Sequence, residues 1–181
     1  KRGIILYGKP GCGKTLLGKV IANEIKSTFV WLTSAQVATA TTIRSVFELA
    51  RDLAPCVLFF EDIDMYTVDR SYGVFNPLVG EMLAQMDGME ENNGIIVVAT
   101  TNRLDAIEGA LASRPSRFDR RFSLDEMNDE TIERMVSTKL GNAKLLDVTI
   151  PEIAQMLRGL NGSFIQEVII SAKRKAIARG L

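Results

Sequence analysis

Two adjacent carboxylates, Glu61 and Asp62, close the apolar run "VLFF" at residues 57–60. Such a run reads as a buried strand, and acids at its carboxyl end stand where open α/β sheets bind their ligands. A second stretch has the composition to meet them. "GKPGCGKT", Gly8 to Thr15, follows the apolar "GIILYG" and precedes a helical pattern; it matches G-x-x-x-x-G-K-[ST] in the strand-to-helix context the motif requires. Gly8, Gly11 and Gly13 allow a tight turn with its N–H groups directed inward. The helix that follows adds the positive end of its dipole, so the loop makes an anion nest suited to a triphosphate. Lys14 would reach the β and γ phosphates, Thr15 would set its hydroxyl on Mg²⁺, and Cys12 would serve as a small filler in the loop.

The elements that must position these residues follow from apolar spacing. "GIILYG" (3–8), "STFVWLT" (27–33), "VLFF" (57–60) and "GIIVVATT" (94–101) read as strands buried on both faces, with a fifth near "RRFSL" (120–124). Between them "KTLLGKVIANEIK", "TTIRSVFELARDLA" and "NPLVGEMLAQMDG" carry apolar residues at helical spacing, the last stopped by Gly88. Alternation of this kind predicts a parallel sheet with right-handed crossovers. From Asn128 onward the pattern is helical, in "NDETIERMVSTKL", "TIPEIAQMLRGL" and "GSFIQEVIISAKRKAIARG", the last N-capped by Ser163 after Gly162. The expected division is therefore residues 1–127 as an α/β core and 128–181 as a small helical appendage.

Composition narrows the classes. The chain has 181 residues, 46% hydrophobic and 24% charged, enough for a full core with a smaller appendage. Its 22 basic residues balance 22 acidic ones, so no global field favours nucleic acid or a membrane surface. Histidine is absent, which removes the common zinc spacings and every histidine-based catalytic scheme. Two well-separated cysteines, Cys12 and Cys56, fit reduced thiols in the cytoplasm or another reducing intracellular compartment. No apolar run approaches the roughly 20 residues needed to span a bilayer. The chain opens directly on a strand, as a fragment of a longer polypeptide would.

Several ordered motifs at matching spacing resemble, nearly end to end, an AAA-type ATPase module. "GKPGCGKTLLGKVIA" stands as Walker A and its helix, "FELARDLAPCVLFFEDID" as a helix and Walker B, "VVATTN" as sensor 1, and "RPSRFDRRF" as the arginine-finger segment. The resemblance implies a P-loop NTPase fold, a parallel five-stranded sheet between helices followed by an all-helical lid. It implies ATP on Gly8, Pro10, Gly11, Cys12, Gly13, Lys14, Thr15 and Leu16, with Mg²⁺ on Thr15 and Glu61. Asp62 takes the place of the base that activates water, and Asn102 that of the amide holding the attacking water or the γ phosphate. Arg114 and Arg117 would project onto the next protomer's ATP. Same or paralogous subunits would then form a ring, usually a hexamer. Gly162 and Ser163, in "GLNGSF", would close over the adenine. The nearest fit is the protein-remodelling clade, so a protein client is expected and nucleic acid is not, consistent with the neutral charge and the missing sensor 2 arginine.

The sequence departs from that family in further places, including Ser163 where an alanine is usual after Gly162. The usual acid order is Asp then Glu; here Glu61 comes first, as in the mitochondrial Rieske-protein translocase branch, and Asp62 is one methylene shorter than the usual base. Ser116 replaces a customary glycine in the finger segment, and Arg120 and Arg121 read as surface arginines. The loop "TSAQVATATTIR" (33–44) lacks the aromatic and the glycine with which remodelling relatives grip polypeptide. Trp31 belongs to the core rather than a pore, and Asp64 is taken as a cap of the following turn. Tyr72 and Phe75 either line an axial channel or pack against a neighbouring helix. Two functions remain in view, an ATP-hydrolysing subunit that remodels or translocates a protein client in a ring, and a nucleotide-binding scaffold with vestigial hydrolysis.

Overall fold

The computed structural model describes residues 2–66, 77–87, 93–112, 117–124 and 127–180. Strands β1 (Arg2–Tyr7), β2 (Thr28–Leu32), β3 (Cys56–Phe60), β4 (Ile95–Thr101) and β5 (Arg120–Ser123) form one sheet in the order β2-β3-β4-β1-β5, with every pairing parallel. Helices α1 (Lys14–Glu24), α2 (Ala40–Asp52), α3 (Pro77–Asp87) and α4 (Leu104–Ala112) intervene, and a 3-10 turn at Ile63–Tyr66 follows β3. By its internal contacts the chain divides into two compact units, Lys1–Gly8 with Lys14–Leu124, and Lys9–Gly13 with Asp125–Leu181.

Within the first unit the period of two along each strand sorts side chains to opposite faces. Ile5, Leu58, Phe60, Val97 and Ala99 meet Ile43 and Phe47 of α2, Met82 and Leu83 of α3, and Ile107 and Leu111 of α4. Leu6, Val57, Phe59 and Val98 face the other way and pack with Phe29, Trp31 and Leu17 of α1. Burial on both faces holds for β3, all of whose residues are buried. It fails for β2, where only Leu32 is buried. The reason is position: β2 ends the sheet, and so does β5, whose four residues are all exposed. The helix α4 was not expected from the sequence. It is nine residues long, and Leu104, Ile107 and Leu111 turn to the core at helical spacing. Thr39 caps α2 by accepting from Thr42 N–H. Just ahead of it, Val37 is 2% exposed and pins the loop after β2 to the core.

The second unit packs α5 (Asp129–Leu140), α6 (Ile150–Met156) and α7 (Gly162–Ala178) around Ile132, Val136, Ala154, Leu157, Ile165 and Ile169. Each helix starts on a side-chain cap. Asn128 accepts from Thr131 N–H, and Thr149 and Glu152 bond each other's backbone reciprocally in a capping box. The cap of α7 corrects the expectation of Ser163. Asn161, in extended backbone, accepts from Phe164 N–H at 3.0 Å, and Gly162 and Ser163 already belong to the first turn. Lys173 donates to the carbonyls of Lys139 and Leu140, closing the far end of α5.

Candidate nucleotide site

Between β1 and α1 the chain turns through Gly11 at φ 79° and Gly13 at φ 100°, a region L side chains rarely adopt. Lys14, the first residue of α1, is 5% exposed, and its Nζ donates to the Gly8 carbonyl at 2.8 Å. The ammonium is therefore held against the start of its own loop. Thr15 is exposed at the surface beside it, as is Leu16 at 65%.

The Thr15 hydroxyl donates to Glu61 Oε1 at 2.5 Å, and the Trp31 indole N–H donates to Glu61 Oε2 at 3.1 Å. Because Thr15 gives its proton to Glu61, the lone pairs of its oxygen stay available to a cation. Two hard oxygens side by side suit Mg²⁺, which keeps several waters and fills its shell from substrate phosphates. Among the described residues no group of three or more His, Cys, Asp or Glu is arranged around a common metal position. A cation at Thr15 and Glu61 would thus depend on phosphate and water for its remaining ligands.

Asp62 sits at φ 50°, uncommon for any residue with a side chain but tolerated by aspartate. It is held from both sides. Its backbone N–H donates to Thr100 Oγ1 at 2.9 Å, and its Oδ1 accepts from Asn102 Nδ2 at 3.2 Å. Asn102 is fixed in turn, since its backbone N–H donates to Asp64 Oδ1 at 3.1 Å. This corrects the reading of Asp64 as a turn cap: it reaches across to the end of β4. Partial burial pushes the Asp62 carboxyl above its ordinary range, the charges of Asp64 and Glu61 push it the same way, and Lys14 and Asn102 oppose them. Burial and the charges of Asp62 and Glu61 also raise the Tyr66 hydroxyl. The register explains the grouping. Phe60 pairs with Ala99, so the residues following β3 and those ending β4 emerge beside each other.

Other expected residues lie elsewhere. Arg117 forms an ion pair with Asp87, the last residue of α3, and its side chain is 16% exposed. Arg120 and Arg121 are exposed on β5. Arg114, Ser116, Gly88, Tyr72 and Phe75 fall outside the described residues. In the second unit, Asn161 Nδ2 donates to the Pro10 carbonyl at 3.0 Å. A Cβ on Gly11 would stand 2.7 Å from Asn161 Cγ, so the glycine is required by contact as well as by φ. Cys12 is half-buried, as is Gly162, and Ser163 is exposed. Sequence reasoning missed Trp31, Thr100 and Asn161. Trp31 pairs opposite Phe59, which puts the indole on the face to which Glu61, two residues further, also belongs, a register that the sequence alone does not show.

The sequence pattern of the ATPase family associated with various cellular activities (AAA) matches residues 4–126. The chain belongs to this family. It is similar to the peroxisomal ATPase PEX1 of Arthrobotrys oligospora, 36% identical over 189 residues covering 98% of this chain and 16% of that protein. It is also similar to the ATP-dependent zinc metalloprotease FtsH of Mycoplasma genitalium, 33% identical over 189 residues covering 97% of this chain and 27% of that protein. The chain thus spans between 16% and 27% of the length of these two relatives. No helix among the described residues is long and apolar enough to cross a membrane.

Proposed function

We propose that this chain binds ATP with Mg²⁺ and hydrolyses it as one subunit of a ring, usually hexameric, that remodels or translocates a protein client. The observation that carries the reading is the pairing of Asp62 with Asn102 at 3.2 Å beside the Thr15–Glu61 contact. A proton acceptor and an amide that can orient water stand at neighbouring strand ends, beside two metal-suited oxygens from Glu61 and from Thr15 of α1. Mg²⁺, when bound with the nucleotide, neutralises phosphate charge.

The remaining work is done by the chain's own groups. Lys14 exchanges the Gly8 carbonyl for β and γ phosphate oxygens, and backbone N–H groups from Gly8 to Leu16 hold the rest of the triphosphate. Glu61 accepts the hydrogen bond of the Thr15 hydroxyl and so fixes it. Asp62 takes a proton from water held by Asn102, a task that its raised pKa favours. Arg117, and Arg114 with it, would stabilise charge on a neighbouring subunit's nucleotide. Gly162 and Ser163 would meet the adenine. Core and lid divide at residues 127 and 128.

The shorter reach of Asp62 favours a second reading, a scaffold that ATP holds together without turnover, since a misplacement of about 1 Å can cost on the order of a hundredfold. Steady-state ATPase of the complete protein separates the two, with Lys14→Ala as blank and Asp62→Asn as probe. Parent turnover well above the blank and lost in Asp62→Asn supports hydrolysis. Turnover at the blank's level with tight ATP binding supports the scaffold.

A further inference from the structure

We propose that Trp31 is a positioning residue for Glu61, its indole N–H holding one carboxylate oxygen so that the other is presented to Thr15 and the metal. The proposal rests on the reading of Glu61 as the metal-side acid. Glutamate carries one more rotatable bond than the aspartate usual at this place, so its head group has more freedom to lose when it is fixed. The structure supplies the restraint. Glu61 Oε1 accepts from Thr15 at 2.5 Å while Oε2 accepts from Trp31 Nε1 at 3.1 Å. An indole N–H donates only and cannot ligate a cation, so it occupies Oε2 without competing for the metal.

The donor itself is clamped. The Trp31 ring lies 4.4 Å from Phe59 and 5.9 Å from Phe29 between centroids. On the helix side stands Gly18 of α1, where an added Cβ would come within 2.5 Å of Phe59 Cζ and 2.9 Å of Trp31 Cη2. The helix that begins with Lys14 and Thr15 therefore rests directly on the rings that orient the Glu61 partner. Backbone pairing fixes the other side, with Trp31 opposite Phe59 and Leu32 opposite Phe60. Outer partners of this kind typically change metal affinity by about tenfold to a hundredfold when removed.

The test begins with the complete, nucleotide-free protein labelled with ¹⁵N. The indole resonance that disappears in Trp31→Phe is the reporter, and in Glu61→Gln it moves upfield as a charged acceptor becomes neutral. A reporter unmoved by Glu61→Gln overturns the proposal whatever the nucleotide chemistry. The second arm is calorimetric titration of Mg²⁺ into protein saturated with a non-hydrolysable ATP analogue. Trp31→Phe keeps the ring packing and should raise the half-saturating Mg²⁺ about tenfold. In a Glu61→Asp background the same change should have little effect, because the shorter acid no longer spans both partners. Equal effects in both backgrounds mean a merely structural role and overturn the proposal. Normal metal binding in Trp31→Phe with weakened binding in Glu61→Gln overturns it alone. Normal metal binding in Glu61→Gln removes the metal-side reading of that acid, and the proposal with it.

Discussion

Asn102 and Asp62 face each other across the ends of β4 and β3, amide to carboxylate at 3.2 Å, and the backbone N–H of each is tied to the opposite strand end by Asp64 and Thr100. The pair is thus set by contacts between the segments that close two neighbouring strands. As the proposed base Asp62 would act only when ionised, and its carboxyl is raised above the ordinary value of 3.8. Turnover should therefore fall on acidification at a higher pH than an ordinary aspartate would give. The profile of kcat between pH 4.5 and 8, on the order of tenfold per unit on its acid limb, checks this. Asn102→Ala should lower kcat by about tenfold to a hundredfold while nucleotide affinity stays near the parent's.

The same shift has a sign in stability. The folded protein binds the Asp62 proton more tightly than the unfolded chain, so this group's contribution is full below pH 3.8 and is lost as pH rises through its raised folded value. Asp62→Asn should accordingly be more stable than the parent at pH 7. The gap should close as pH falls through that window. Urea unfolding of both proteins across pH 4 to 7 gives the answer, and a gap that widens on acidification contradicts the assignment.

Much of this was legible in the sequence because backbone requirements are written in residue types. Gly11 and Gly13 need left-handed backbone, the four-residue apolar run from Val57 to Phe60 needs burial on both faces, and Lys14 and Thr15 follow at fixed spacing. What escaped depends on contacts between distant segments. Trp31 and Glu61 lie 30 residues apart and meet only through the β2–β3 register. Asn161 reaches Pro10 across 151 positions. Asp64 looks local until Asn102 is placed beside it. Local propensity carries none of these.

Asn161 performs two jobs that separate by substitution, since its Oδ1 caps α7 and its Nδ2 donates to the Pro10 carbonyl. Asn161→Ala should lose both and destabilise the second unit by about 1 kcal/mol. Asn161→Asp keeps a good cap, with a charge that suits the helix start, and loses only the donor. Equilibrium unfolding should therefore tell the two variants apart, while calorimetric ATP affinity should drop several-fold in both. Parent-like affinity in Asn161→Asp would remove any role of the Pro10 contact in shaping the loop.

Gly18 offers a test in which two physical effects predict opposite signs. Helix propensity alone would make Gly18→Ala stabilising by roughly 1 kcal/mol. The added methyl, however, would stand 2.5 Å from Phe59 and 2.9 Å from Trp31, inside close-packed rings. Overpacking of that kind costs about 1–3 kcal/mol, so the expected outcome is a net loss of stability in denaturant unfolding. Trp31 emission should shift as its ring is displaced.

Arg117 pairs with Asp87 within its own chain, so service to a neighbour's nucleotide requires that pair to open. A trans role has a consequence that a purely structural ion pair lacks. Arg117→Ala and Lys14→Ala should each abolish turnover, the first by removing the charge supplied to the next subunit, the second by emptying its own site. Mixed in equal amounts and allowed to exchange subunits, they should recover about a quarter of the parent's activity, the share of interfaces that join an intact Lys14 to an intact Arg117. Steady-state ATPase of the mixture against either variant alone is the measurement. A structural role for the Arg117–Asp87 pair predicts instead that mixing restores nothing, and that Asp87→Asn loses as much stability as Arg117→Ala.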